Sequence, residues 1–146
     1  MILDNSARLA ATTEAGSGGN IQLQDLTSLQ LNNDSEISAS TQSGEGGNVS
    51  IEASGGIVEL TDNSRLEAEA TQGSNAGNLE ITANRLTLGG NSSATVSSTA
   101  KGTAGSLMVS VPEVILDNSA RLAATTEAGS GGNIQLQDLT SLQLNN

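Results

Sequence analysis

The chain has 146 residues, 16 acidic and 5 basic, giving a formal net charge of −11, and it contains no Phe, Trp, Tyr, Cys or His. These absences exclude disulfides, thiolate or imidazole metal sites, Cys–His and Ser–His–Asp catalysis, and a histidine pH switch. They also exclude aromatic platforms for sugars or bases, and the few scattered basic residues make nucleic acid a poor partner.

No apolar run approaches the roughly 18 residues a membrane span needs. The start, Met1-Ile2-Leu3-Asp4-Asn5-Ser6, has neither the basic nor the apolar region of a signal peptide. Low hydrophobicity with acidic charge is one signature of disorder. Here, however, the Leu, Ile, Val and Ala residues fall in a strict pattern, which points to an ordered fold.

That pattern is a repeat. In chain order, each unit opens on a short strand such as Leu29-Gln30-Leu31 or Val58-Glu59-Leu60. A polar corner follows, Asp4-Asn5-Ser6 in the first unit. The second strand runs like Ile37-Ser38-Ala39-Ser40-Thr41, and a glycine-containing turn then ends in Gly19-Asn20, Gly47-Asn48, Gly77-Asn78, Gly105-Ser106 or Gly132-Asn133. The third strand is like Val49-Ser50-Ile51-Glu52-Ala53. Each strand alternates apolar and polar residues with period two. Arg65–Ala70 holds good helix formers, but its counterparts read EISAST and RLAATT, so the column predicts a strand.

The leucines Leu3, Leu31, Leu60, Leu88, Leu116 and Leu144 recur every 28 or 29 residues. The unit is therefore expected to be one coil of an all-β, parallel β-solenoid. Coils fall at approximately 1–28, 29–57, 58–85, 86–113 and 114–141, with a partial sixth at 142–146, in a single domain. Five coils about 4.8 Å apart would stand about 24 Å tall. An up-and-down barrel or sandwich also fits turn signals at this spacing. A sandwich has no reason to repeat at this period, however, and its inner faces usually need aromatics.

Stacked coils place equivalent residues in columns. Three inward columns are expected: the leucines, then Ala11, Ala39, Ala68, Val96 and Ala124, then Ile21, Val49, Leu79, Leu107 and Ile134. Thr13, Thr41, Ala70, Ser98 and Thr126 finish the second strand near the rim. The corner column runs Asn5, Asn33, Asp62, Gly90, Asn118, followed by Ser6, Asp34, Asn63, Asn91, Ser119. The corners and the glycine turns use residues that tolerate left-handed backbone. Asn20, Asn48, Asn78 and Asn133 are expected to form a structural amide ladder. An outward column, Arg8, Glu36, Arg65, Ser93, Arg121, alternates in charge and would tune register.

Acids crowd the third coil: Glu52, Glu59, Asp62, Glu67, Glu69 and Glu80. Glu67 and Glu69 share one outward face and are the candidate site for a hard cation or a glycan. As a pair they are also the only candidates for hydrolytic acid–base work. The competing reading is a solvated acidic face that keeps a stacking protein soluble. Thr12, Ser40, Ser97 and Thr125 resemble the hydroxyl arrays of ice-binding solenoids, but Glu69 interrupts that column. No phosphate-binding or dinucleotide glycine fingerprint is present. No cofactor, metal, nucleic-acid partner or membrane insertion is expected.

Units such as LQLNNDSEISASTQSGEGGNVSIEASGG and VELTDNSRLEAEATQGSNAGNLEITANR resemble the repeats of filamentous-haemagglutinin-like adhesins, especially cyanobacterial ones. The resemblance covers the whole chain. It implies a right-handed parallel β-helix, export by two-partner secretion, and an extracellular or cell-surface role as an adhesion stalk whose target the sequence does not name. The chain departs from such proteins in lacking their secretion domain and signal peptide, so it reads as a piece of the shaft.

Residues 2–33 recur letter for letter at 115–146. The diverged coils between them show that folding does not demand such identity, so the copy points to recent duplication or deliberate construction. Both ends are cut in mid-pattern, without caps. The expected function is therefore structural and non-enzymatic: a shaft segment whose partner is a second copy stacked head to tail, along an edge holding Ile2, Leu3, Leu142 and Leu144. A glycan- or cation-binding module is the alternative. A polysaccharide lyase or hydrolase would rest on analogy of fold alone.

Overall fold

The computed structural model describes residues 1–99 and 101–145. Fourteen strands run in chain order: β1 (Ile2–Leu3), β2 (Arg8–Ala15), β3 (Ile21–Leu23), β4 (Ser28–Leu31), β5 (Glu36–Ser43), β6 (Val49–Leu60), β7 (Arg65–Ala70), β8 (Leu79–Leu88), β9 (Ser93–Ser98), β10 (Leu107–Ser110), β11 (Glu113–Leu116), β12 (Arg121–Thr126), β13 (Ile134–Gln137) and β14 (Ser141–Leu144). Among the described residues there is no helix. Every strand pairing is parallel, and each joins positions about one repeat apart, as in Ile2 with Gln30, Leu66 with Ala94 and Leu79 with Leu107. The chain is a β-solenoid of about five coils, as the period predicts.

Three faces follow. The first stacks β1, β4, the ends of β6 and β8, β11 and β14. The second stacks β2, β5, β7, β9 and β12. The third stacks β3, the starts of β6 and β8, β10 and β13.

Two of the three strands expected per coil are fused in the middle of the rod. β6 runs unbroken from the third face into the first, and so does β8. The bend survives as a register shift between Ala53 and Ile57. Gly56 sits there because a Cβ would overlap the Thr27 carbonyl of the coil below.

The inward columns lie where the alternation puts them. Leu31, Leu60, Leu88, Ala39, Ala68, Val96, Leu79 and Leu107 are wholly buried, and they form one continuous core with Leu29, Val58, Leu86 and Val114. The second face contributes mostly small inward residues, so the section is narrow and has no room for rings. Its rim is a hydroxyl column. Thr41 Oγ1, Ser98 Oγ and Thr126 Oγ1 donate to the carbonyls of Gly16, Ser74 and Gly102, in the turn of the preceding coil, at 3.3, 2.6 and 2.8 Å.

The corner after the first face is left-handed twice in succession in every coil: Asn5–Ser6, Asn33–Asp34, Asp62–Asn63, Gly90–Asn91 and Asn118–Ser119, all with φ between 50° and 65°. Asn, Asp and Gly accept this conformation most readily, which explains the column. The turned backbone keeps hydrogen-bonding along the rod. The N–H groups of Ser6, Asp34 and Asn63 each donate to the first corner carbonyl of the next coil (Asn33, Asp62, Gly90), each at 2.8 Å.

The glycines of the Gly-Asn turns are needed for a different reason than the one expected. Gly47, Gly77, Gly105 and Gly132 are not left-handed. Each stands so close to the glycine carbonyl one coil below that a Cβ would overlap it. Left-handed φ in these turns falls instead on Gly16, Gly44, Gln72 and Gly73.

Leu60 tests the register. It pairs with Leu31 below and Leu88 above and is wholly buried. Leu60→Ala should lower stability by about 2–5 kcal/mol in denaturant titration, and Leu60→Asp should prevent folding. A folded Leu60→Asp protein would place the column elsewhere.

Candidate functional site

The outward surface of the second face carries the candidate carboxylates. Glu67 lies on β7 between Ser38 of β5 and Thr95 of β9, and Glu69 lies between Ser40 and Ser97. Both are half-buried. The other acids of the third coil do not join them: Glu59 faces out from the first face, while Glu52 and Glu80 sit on the third. The expected crowd of acids is thus spread around the perimeter: Glu67 and Glu69 share the second face, and Glu52 and Glu80 the third. Among the described residues, no group of three or more acidic side chains converges as a metal ion would need.

Burial pushes the Glu67 carboxyl above the ordinary glutamate value. The Arg65 guanidinium opposes that shift, Glu36 and Glu69 add to it by repulsion, and Arg8 opposes it weakly. An open polar groove of about 660 Å³ runs along this face, with Asp34, Arg65, Glu67 and Arg121 on its walls. Its mixed charges favour no one sign of ligand.

The alternating column is present in register: Arg8, Glu36, Arg65, Ser93, Arg121. Arg8 Nη2 pairs with Glu36 Oε1 at 3.3 Å and reaches Ser38 Oγ at 3.4 Å. With Arg8 largely exposed, such a pair contributes at most about 1 kcal/mol. A second pair, Arg85 with Glu113, lies on the first face between directly opposed positions. Sequence reading missed it, although the 28-residue spacing was there to find it. The hydroxyl array is real but short: Ser40 Oγ donates to Thr12 Oγ1 at 3.3 Å, and Glu69 follows Ser40 in the column.

The asparagine ladder forms with a different bonding pattern from simple side-chain stacking. Asn20 Oδ1 accepts the backbone N–H of Asn48 at 2.8 Å, Asn48 Oδ1 that of Asn78 at 2.8 Å, and Asn78 Oδ1 that of Ser106 at 2.9 Å. Among the described residues of the ladder, the one amide-to-amide bond is Asn48 Nδ2 to Asn20 Oδ1 at 3.2 Å. The side chains thus satisfy N–H groups of the turn that the strand ladder does not reach. Asn75 Oδ1 does the same for Thr103 N–H at 2.9 Å.

Ser35, Ser64 and Ser92 form a buried column that sequence reading also missed. Ser35 Oγ donates to the Asn32 carbonyl at 2.6 Å, whereas Ser64 Oγ and Ser92 Oγ have no partner among the described residues. Ala7 and Ala120 hold the same position in the duplicated segments.

The four residues expected at the edge divide. Leu142 and Leu144 belong to inward columns and are 44% and 68% exposed in the last coil. Leu3 lies in the same inward column as Leu144, but at the first coil it is only 7% exposed. Ile2 is 66% exposed but lies in an outward column with Gln30 and Glu59, so it faces sideways.

Two substitutions test this surface. A raised pKa means the folded state holds the Glu67 proton more tightly than the unfolded state. Glu67 therefore contributes instability that grows as pH rises through the window above the ordinary glutamate value. Glu67→Gln should raise Tm at neutral pH, and the gain should vanish below that window; an unchanged Tm at neutral pH would contradict the burial of this carboxyl. Ser106→Asn would offer an Oδ1 to the Asn133 N–H and extend the ladder by one rung. It should add about 0.5–1.5 kcal/mol, read as slower amide exchange at Asn133.

Comparison with known proteins adds nothing to this geometry: no family model, curated protein or solved structure matches the chain.

Proposed function

We propose that this chain is a structural segment of a β-solenoid shaft, a spacer in an extracellular or cell-surface fibre, which associates end to end through its terminal coils. The resemblance of its units to filamentous-haemagglutinin-like adhesin repeats supports the setting, with export by two-partner secretion and adhesion as the role of the whole fibre. The proposal assigns the chain no catalytic step. Glu67 and Glu69 sit two residues apart on β7, and of the two only Glu67 lines the open groove of this face.

The observation that carries the reading is the fate of the inward columns at the last coil. Leu79 and Leu107 are wholly buried, whereas Ile134, the next residue in their column, is 46% exposed. Val114 is wholly buried, and Leu142 above it is 44% exposed. The core is thus a column that the terminal coil leaves uncovered. A sheet edge with open N–H and C=O groups surrounds it, the kind of surface that receives another strand.

Like-charged subunits with a net charge of −11 repel one another. The account predicts that the purified protein forms unbranched filaments of constant width at about 1 M salt, where the Debye length is about 3 Å. Association should be weaker at low salt. Light scattering and electron microscopy read the result. Monomers at both salt levels, at high protein concentration, would contradict the proposal.

A further inference from the structure

The duplicated segment sets which coil of one copy meets which coil of the next. Residues 2–33 are covered on one side by the residues that follow them: β1 by β4, β2 by β5 and β3 by β6. Residues 115–146 have the identical sequence, and among the described residues 115–145 present that same side at the end of the rod. Among the described residues, β12, β13 and β14 each pair on one side only, with β9, β10 and β11. The structure therefore already displays the surface that fits this end: the stretch of chain beginning at Asp34.

Plain stacking of the first coil of one copy on the last coil of another fits poorly. β14 already stands one rung above β12 and β13, on the face that β1 also uses. A second copy that placed β1 on β14 would leave an empty rung on the other two faces. If β14 moved aside instead, two identical coils would stack in register, with Arg8 on Arg121, Asp4 on Asp117 and Glu14 on Glu127. Like charges directly opposed are destabilising.

We infer that assembly proceeds by coil exchange: the C-terminal coil of one copy, residues 115–145, displaces residues 2–32 of another and seats on its β5 and β6. The inference rests on the end-to-end reading above and specifies its partner surface. Every pairing it forms has a counterpart within one chain. Arg121 takes the place of Arg8 beside Glu36, a pair seen at 3.3 Å. Thr125 takes the place of Thr12 against Ser40, also 3.3 Å. Asn133 Oδ1 takes the place of Asn20 Oδ1 on the Asn48 N–H, 2.8 Å. No rung is left empty, because residues 115–145 stand against β5 and β6 of the partner where residues 2–32 stand within one chain.

The thermodynamic logic favours the exchange. The displaced coil has one neighbour, so it belongs to the least stable part of a one-dimensional stack. The incoming coil is already ordered on β9, β10 and β11. It has the same sequence as the coil it displaces, so it restores the same hydrogen bonds and covers the same core residues. The freed segment regains conformational entropy, which offsets the freedom lost on association. Such an arrangement does not close on itself, so it propagates as a filament that advances 113 residues per copy.

The chain has no cysteine, so engineered pairs report without background. Ser40→Cys/Thr125→Cys places two thiols three rungs apart within one chain, about 14 Å at 4.8 Å per rung. That is outside the disulfide range of roughly 4.4–6.8 Å between Cα atoms. Exchange makes the two positions direct neighbours between chains. Thr12→Cys/Thr125→Cys makes the corresponding pair for plain stacking. Both full-length variants are assembled at high salt, oxidised and run on a denaturing gel without reductant. Coil exchange predicts a ladder of covalent oligomers from the first variant and monomer from the second. A ladder from the second variant overturns the exchange while leaving end-to-end association intact. No ladder from either overturns both.

Discussion

The structure depends on one constraint: each backbone N–H and C=O of a strand is satisfied by the equivalent strand one coil away. Parallel pairing in fixed register forces residue above like residue. A column is then only as good as its worst member, which is why leucine faces leucine through Leu31, Leu60 and Leu88. The same constraint reaches the corners. Two left-handed residues in succession would be a local cost in most folds. Here they turn their N–H groups along the rod, and each corner becomes another rung.

Most of this was legible in the sequence because a solenoid has no partners distant in sequence. Period, alternation and corner residues are all local, and together they fix which strand pairs with which. The features that were not legible depend on distance between coils. Gly77 looks like a turn glycine in the sequence, but what it accommodates is the Gly47 carbonyl of the coil below, and only the stack shows that. β6 and β8 each run on where the outer coils turn, with Ser54, Gly55 and Gly56 of β6 forming the irregularity between them, which only their pairing shows. The crowd of acids in the third coil was a fact of composition alone; the section of the rod directs Glu59, Glu67 and Glu80 to three different faces.

The candidate site is correspondingly plain. The conspicuous side chains mostly serve the stack. Arg8 and Glu36 pair between rungs, Asn20, Asn48 and Asn78 satisfy turn N–H groups, and Thr41 and Ser98 tie the rim to the turn beside it. Glu67 is the exception, a half-buried carboxyl that burial holds toward its neutral form. A fold that devotes its polar residues to its own continuation is suited to length and regularity. Absence of aromatics is in keeping with the same narrow section, since the second face fills most of its inward positions with Ala, Val, Ser and Thr beside Ile37 and Leu66.

The central claim is that the coils stack in parallel at one fixed register, and the spacing along one column tests it most directly. Gln22, Ser50, Glu80, Met108 and Gln135 form an outward column on the third face. Spin labels at Gln22 and Met108 stand three rungs apart, and labels at Gln22 and Gln135 stand four. At 4.8 Å per rung the backbone separations are about 14 and 19 Å. Pulsed electron resonance on the two doubly labelled proteins should give distance distributions whose centres differ by about 5 Å, the longer from Gln135. Equal distances, or the longer one from Met108, would contradict the stack.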